Sequence, residues 1–491
     1  MKPKGKEQEV IVFGSGLGGL LAGTILSKNK LPVLLLREKG FQSFYSNQGY
    51  HFVPFSNFSE KRLSTHILKV ISQALNLPLW KGSKPEGKLT QVSSDKSKQR
   101  ASFQVILPKA RIDIFPQRTL NQKEWKREFP PETVQIESLY NDLDHLQHLL
   151  QKGREKKRGS PFFPFRKRSF THTCFPFNSI PKEEMNQRLS LFSKEFRKYL
   201  QLQLTAWGNL YSDRFPLFLA AHIFLEEIQQ WDTEIHLEKM EKELFSQFLQ
   251  SGGRVEEIGR VERINRRWGK GLSLSLERDP RVFQSKFLII NSPLHRILSL
   301  LGPKGEKYSK WGKGIKPLYV MIPLFIGLRD NAVPIGMSDL LISLLDLERS
   351  YEDGNLLFLS LSPRGDETQA PEGRRALTVE CLIGVEKWEQ TFLIDYQEGV
   401  MKHLCHLFPF LEHEIEFVDF QWANDHVPRW SYPHFIYEAT SDFHWREGIL
   451  PPSLSKGIYL VGKENFPYLG LGGEIFSGLT VAQEILKKIS K

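Results

Sequence analysis

At 491 residues the chain exceeds what one compact core normally supports, so two large domains or about three smaller ones are expected. With 40% hydrophobic and 25% charged residues the composition excludes a disordered or fibrous chain, and the best apolar run, Leu318 to Leu328, is about half the roughly 18 to 20 residues that span a bilayer. Three cysteines, Cys174, Cys381 and Cys405, exclude a disulfide framework and point to a reducing compartment, with the cytoplasm as the expected location. The first ten residues are basic but lead into no signal-peptide cleavage pattern, and read as a mature end. The net charge of +11 is unevenly placed: residues 151–170 hold eight basic residues and one acid, a local net of +7 interleaved with Phe162, Phe163 and Phe165.

Along the chain, Val10 to Phe13 is a short continuous apolar run of the kind a strand buried on both faces needs. Glycines follow at once. Leu20, Leu21, Ile25 and Leu26 then recur at helical spacing and Val33 to Leu36 reads as a second buried strand, which together predict a strand, turn, helix, strand unit of a parallel sheet. Pro130 and Pro131 introduce a helix over about 132–151, where Ile136, Leu139, Leu143, Leu146 and Leu150 make one apolar stripe. Residues 184–203 and 220–249 are mostly helical in pattern. From Gly252 the period changes to that of strands, at 261–264, 272–276 and 287–290, the last ending in Asn291-Ser292-Pro293. Residues 318–379 read as strands and loops, 390–407 as a helix, 458–461 as a buried strand, and 479–489 as a closing helix that follows a glycine-rich loop. No internal repeat is present.

Gly14-Ser15-Gly16-Leu17-Gly18-Gly19 satisfies G-x-G-x-x-G between a buried strand and a helix, the context the motif requires. Gly14 permits the tight turn, Gly16 lets a pyrophosphate approach the backbone, Gly19 lets helix and strand pack closely, and the helix start offers free N–H groups. This predicts dinucleotide binding. The acid expected about 20 positions on, for the ribose hydroxyls, falls at Glu38, while its neighbour Arg37 would instead suit a 2′-phosphate; the sequence leaves both open. A second glycine-bearing stretch, Gly462-Lys463 and Gly470-Leu471-Gly472-Gly473, leads into a helix from about Ser477 and is positioned to approach the same ligand.

With these segments the chain resembles the FAD-dependent phytoene desaturase and carotenoid isomerase family, within the wider amine-oxidase-like flavoproteins. The resemblance is carried by VFGSGLGGLLAG from Val12, GGRVEEIGRVERI over 252–264, FLIINSPLHRILSLL over 287–301 and GIYLVGKENFPYLGLGGEIFSG over 457–478, with LSLSPRGDETQAPEGRRALTVE over 359–380 similar to a substrate-domain stretch. It implies an α/β fold, with a Rossmann-like FAD-binding domain around a parallel central sheet and an interleaved α+β substrate domain. The first would comprise 1–70, 245–300 and 450–491, the second 71–244 and 301–449. The cofactor would be FAD, with Gly14, Ser15, Gly16, Leu17, Gly18 and Gly19 at the pyrophosphate and Glu38 at the ribose. Val261 would meet the adenine, Asn291 would close its strand beside the cofactor, and Gly462, Lys463, Gly470, Leu471, Gly472 and Gly473 would face ribitol and flavin.

The implied activity is an oxidoreductase that desaturates or isomerises an apolar, isoprenoid or polyene-like small molecule, with Trp430 and Tyr432 as expected substrate walls and no catalytic base identified. The basic segment 151–170 has three readings: docking on an anionic membrane surface, an exposed loop with no partner, and, less favoured than either, contact with nucleic acid. His145 with His148, and His403 with Cys405 and His406, lack four ligands at zinc-site spacing, so no metal is expected. The chain departs from the family where Gly40 to Tyr45 lacks a Gly-Gly-Arg loop and where Lys463 replaces the common acid. Two alternatives follow: an amine-oxidase-like flavoenzyme with a polar substrate, and a non-catalytic protein that keeps the fold without FAD.

Overall fold

The computed structural model describes residues 8–14, 16–39, 44–53, 71–75, 101–155, 185–212, 215–228, 237–267, 271–303, 305, 308, 314–388, 394–423, 434–440 and 453–490. The predicted opening unit is present as β1 (Gln8–Phe13), α1 (Leu17–Lys28) and β2 (Val33–Glu38), with β1 and β2 parallel. Two hairpins follow, β3 (Tyr45–Asn47) with β4 (Tyr50–Phe52) and β5 (Phe103–Leu107) with β6 (Ala110–Ile114). Then come α2 (Arg118–Glu128), α3 (Thr133–Glu155), α4 (Lys194–Gly208), β7 (Leu210–Tyr211) and α5 (Leu237–Gln250). The two prolines form a 3-10 turn just before α3, where a missing N–H costs nothing, and all five residues of the α3 stripe are buried. The start of α4 is fixed by Ser193, whose hydroxyl accepts from the Phe196 N–H at 3.2 Å.

The strand-rich half holds β8 (Arg254–Ile258), β9 (Val261–Arg267), β10 (Gly271–Leu276) and β11 (Asp279–Ile290), then α6 (Leu294–Leu301). After them run β12 (Ile315–Arg329), β13 (Leu340–Leu344), β14 (Leu356–Leu361), β15 (Arg374–Gly384), α7 (Ile394–Leu407), β16 (Ile415–Asp419) and β17 (His434–Ala439). The chain closes with β18 (Ser453–Ser455), β19 (Ile458–Leu460) and α8 (Gly470–Ile489). Two expectations need correction. β11 begins eight residues before Phe287, because its first half is an exposed hairpin arm paired with β10 and only the second half enters the buried sheet. α8 starts at Gly470, so Gly470, Leu471, Gly472 and Gly473 form its opening turn and are not a loop; glycine is a poor helix former, and here burial of the whole turn overrides that preference.

The first sheet runs β18-β19-β11-β1-β2-β8, with β19, β11, β1, β2 and β8 parallel and the β9–β10 hairpin continuing from β11. Its strands are buried on both faces: Val10, Val12, Val33 and Leu35 pack beneath α1, α5 and α8, while Ile11, Phe13, Leu34 and Leu36 meet α6 and the β9–β10 hairpin. Parallel pairing brings the carboxyl ends of β1, β2, β11 and β19 to one edge, the edge at which open α/β sheets bind ligands.

The second sheet runs β6-β5-β13-β14-β15-β12-β17-β7, with β16 also on β12, and is largely antiparallel. The apolar run Leu318 to Leu328 is its central strand β12, paired with β15 from Tyr319 to Arg329. On the other side β17 pairs as far as Met321 and β16 begins at Phe325; Pro323, which has no N–H to give, sits in the gap between them. Among the described residues, no helix is long and apolar enough to cross a membrane.

Candidate functional site

Where β1 ends, Gly14 turns the chain with φ of +123°, its N–H donating to the Leu36 carbonyl at 3.1 Å. A Cβ there would strike the Asn291 carbonyl, so both backbone and space require glycine. Gly16 then caps α1 without any side-chain hydrogen bond, and α1 carries no acid in its first turn. Its first N–H groups must find partners elsewhere.

They find them on two distant segments. Asn291, at the end of β11, accepts from the Gly19 N–H at 3.3 Å and donates to the Val461 carbonyl at 2.9 Å, tying α1 to β19. Glu474, the fifth residue of α8, accepts from the Gly18 N–H at 3.0 Å and from Asn291 Nδ2 at 3.4 Å, and is 6% exposed. A Cβ added at Gly16 would collide with Asn291 Oδ1 and Glu474 Oε1. The two glycine-bearing segments predicted to converge therefore do so, and a carboxylate from one lies on the backbone of the other.

At the end of β2, Glu38 turns inward. Its Oε1 accepts from the Val261 N–H at 2.9 Å and from Arg296 Nη2 of α6, an ion pair in which both side chains are 6% exposed. The Arg296 guanidinium lies 5.4 Å from the Phe13 ring centroid. Glu38 Oε2 and Arg296 Nη1 are buried with no hydrogen-bond partner among the described residues. Strand alternation sends Arg37 to the opposite face, where it lies 4.7 Å over the Phe245 ring of α5 and 3.8 Å from Glu241, away from the Glu38–Arg296 pair.

Beyond Gly462, whose N–H donates to Ser477 Oγ at 3.1 Å, the chain reaches the boundary with the second sheet. The half-buried Lys463 ammonium donates to His434 Nδ1 at 3.3 Å; burial pushes it down to about 8, against the pull of the Glu474 carboxylate. Glu464 is buried, accepting from the Tyr437 hydroxyl and from the Leu294 N–H that opens α6, both at 2.5 Å. Burial pushes its carboxyl up to about 7, while these two donors hold it lower than burial alone would. Burial raises the Tyr437 phenol well above its ordinary value and drops the His434 imidazole to about 4, so both are neutral at physiological pH. His295 of α6 meets Phe435 edge to face at 5.5 Å.

Of the sequence-predicted positions, Gly14, Gly16, Gly18 and Gly19 meet Asn291 and the opening of α8 through Glu474, Gly462 lies beside Asn291, and Glu38 meets Val261. Lys463 reaches His434, Leu17 and Leu471 belong to the apolar core beneath α1 and α8, and Gly470, Gly472 and Gly473 are buried in the first turn of α8. Ser15, Trp430 and Tyr432, residues 40–43 of the altered loop and residues 156–170 of the basic segment lie outside the described residues. His403 is buried with Nδ1 on the Gly354 carbonyl at 2.7 Å and Nε2 on Ser343 Oγ at 2.8 Å, which commits both ring nitrogens. Sequence reading missed Glu474, Arg296, Glu464, Tyr437 and His434. Glu474 did leave a signal: it is the single charged residue between Glu464 and Glu484, inside a glycine-rich apolar run.

No family model matches the chain. The chloroplastic prolycopene isomerase of Arabidopsis thaliana is 22% identical over 522 positions, covering 98% of this chain and 83% of that protein. An oxidoreductase from Methanosarcina mazei superposes with a TM-score of 0.58 at 16% identity, over 98% of this chain and all of that one. A triple mutant of putrescine oxidase superposes with a TM-score of 0.59 at 12% identity, over 98% and 99% of the two chains.

Proposed function

We propose that this chain, which has the Rossmann-like fold of the amine-oxidase-like flavoproteins, is an FAD-dependent oxidoreductase whose cofactor lies along the groove where α1 and α8 begin. The carrying observation is the convergence of both glycine-bearing helix starts on the carboxyl ends of parallel strands. The residues present fit an adenine dinucleotide at its nucleoside end: Glu38 Oε2 is a buried acceptor without a donor, which a ribose hydroxyl satisfies, and Arg296 Nη1 is a buried donor without an acceptor. Val261 fits less simply, since its N–H already serves Glu38. At the diphosphate position the N–H groups of Gly18 and Gly19 are in place, with Glu474 and Asn291 on them. Bound there, FAD supplies two-electron redox chemistry. The protein holds it and excludes water. The cofactor domain in this reading is 1–70, 245–300 and 450–491, and the second sheet belongs to a substrate domain of 71–244 and 301–449.

The substrate we propose is an apolar isoprenoid or polyene, desaturated or isomerised beside the boundary formed by β17 and residues 462–465. The likeness to a prolycopene isomerase supports this. So does Lys463: an ammonium at that boundary repels the cationic amine that an amine-oxidase-like alternative requires. Residues 151–170, which continue from the end of α3, are proposed to dock on anionic lipid and give access to such a substrate.

Glu474 favours a second reading, a protein that keeps this architecture and no longer binds FAD, because a carboxylate stands where the diphosphate would sit. Purified protein reconstituted with FAD and desalted separates the two. Retained flavin absorption near about 375 and 450 nm is the expected outcome; protein left colourless overturns the enzyme reading. Vesicle sedimentation tests the docking: anionic vesicles should retain the chain and release a variant neutralised at Lys156, Lys157, Arg158, Arg166, Lys167 and Arg168, and equal binding by both overturns it.

A further inference from the structure

We propose that Glu474 is an internal anion that competes with the cofactor diphosphate for the N-terminus of α1, so that this one side chain sets the affinity of the groove for FAD. The inference rests on the cofactor reading above and adds to it the residue that limits binding. α1 begins with a glycine cap, no capping side chain and no first-turn acid, so its positive end lacks any local anion. The chain supplies one from more than 450 residues away: Glu474 Oε1 takes the Gly18 N–H at 3.0 Å and is steadied by Asn291 Nδ2 at 3.4 Å. Its place is the one a diphosphate needs. The space against Gly16, where the glycine motif admits a phosphate oxygen, is filled by Glu474 Oε1 and Asn291 Oδ1, and two anions cannot share the same donors at that separation.

The rest of the groove argues that this seat is meant for a ligand. At the nucleoside end Glu38 Oε2 remains buried and unsatisfied, which is costly unless something else completes it. A purely internal arrangement would have satisfied both ends; here only the end that Glu474 reaches is satisfied. Asn291 is neutral, so its Oδ1, which shares this space, does not repel a diphosphate, whereas the carboxylate does and has to leave the seat for the cofactor to bind.

The test titrates wild type, E474Q and E474A with FAD by flavin fluorescence, and with ADP and adenosine by calorimetry. Glu474→Gln keeps the volume and one acceptor but removes the charge; Glu474→Ala removes both. Ligands carrying the diphosphate should bind roughly 10- to 100-fold more tightly to the variants, the alanine form most, since a charged hydrogen bond no longer has to be given up. Adenosine should bind all three alike, and the unliganded variants should unfold at lower temperature. Equal or weaker FAD and ADP binding by the variants overturns the proposal, as does an equal gain for adenosine, which would mean general loosening. If wild type binds FAD and the variants match it, only the role of Glu474 fails; if none of the three binds FAD, the cofactor reading fails with it. Should Glu474→Ala fail to fold, the isosteric Gln variant gives the same comparison.

Discussion

The two ends of the groove handle buried charge in opposite ways. At the nucleoside end, Glu38 is neutralised by a permanent partner, the Arg296 guanidinium, with both side chains closed off from water. At the boundary with the second sheet, Glu464 forms no ion pair among the described residues; a phenol and a backbone N–H bond it, and burial lifts its carboxyl to about 7. The first end is therefore sensitive to loss of its partner, while the second responds to protons. A fixed ion pair suits the unreactive handle of a cofactor, and a protonatable cluster suits the side where a substrate is handled.

The largest expected effect comes from breaking the fixed pair. Arg296→Met leaves the Glu38 carboxylate buried without its cation, and removing one partner of a buried pair costs about 3–5 kcal/mol. Denaturant unfolding should report that loss, and the double variant Glu38→Gln with Arg296→Met should recover most of it, because no uncompensated charge remains. A single variant no less stable than wild type would mean that Glu38 is not held by Arg296, and the contrast between the two ends would disappear.

Next in size is the proton-sensitive end. Burial raises the Glu464 carboxyl from 4.5 to about 7, so between those values the folded chain holds a proton that the unfolded chain has released. The stabilisation from this group is complete below about pH 4.5 and is lost as pH rises through about 7, a swing of order 3 kcal/mol. Glu464→Gln keeps a neutral side chain on Tyr437 and Leu294 and should flatten that part of the stability profile, so the variant gains on wild type as pH rises from about 4.5 and the gain levels off above about 7. Parallel profiles would place the carboxyl outside the buried cluster.

How much of this the sequence disclosed depends on the range of the interaction. Local patterns carried far: the β1-α1-β2 unit, the α3 stripe and the buried half of β11 were readable because strand and helix periods are set by near neighbours. The start of α8 was misread because glycine preference is local while the burial that overrides it comes from distant residues. The glycine positions and Glu38 were marked by motif spacing and Asn291 by the family resemblance; the structure shows their contacts, Asn291 on Gly19 and Glu38 on Val261. Arg296, Glu474 and Glu464 were not, since each acts on a residue well over a hundred positions away and nothing near it in the chain marks the partner. Pairing across elements is tertiary information, and a single chain without relatives does not encode it at any fixed spacing.

The smallest expected effect concerns which of two adjacent residues, Arg37 or Glu38, would face a bound ribose; alternation along β2 points them to opposite faces. Arg37 lies over Phe245 and 3.8 Å from Glu241, both side chains of that ion pair about one-fifth exposed, an arrangement worth at most about 1 kcal/mol. Arg37→Gln should therefore cost less than that in unfolding experiments and leave the affinities for ADP and for 2′-phospho-ADP unchanged. The Glu38 carboxylate should disfavour the 2′-phosphate in wild type and variant alike, by like-charge repulsion in a buried site. A selective loss of the 2′-phosphorylated ligand in Arg37→Gln would show the arginine reaching into the groove after all, and the nucleoside end would then carry two cations and have no unsatisfied acceptor at its centre.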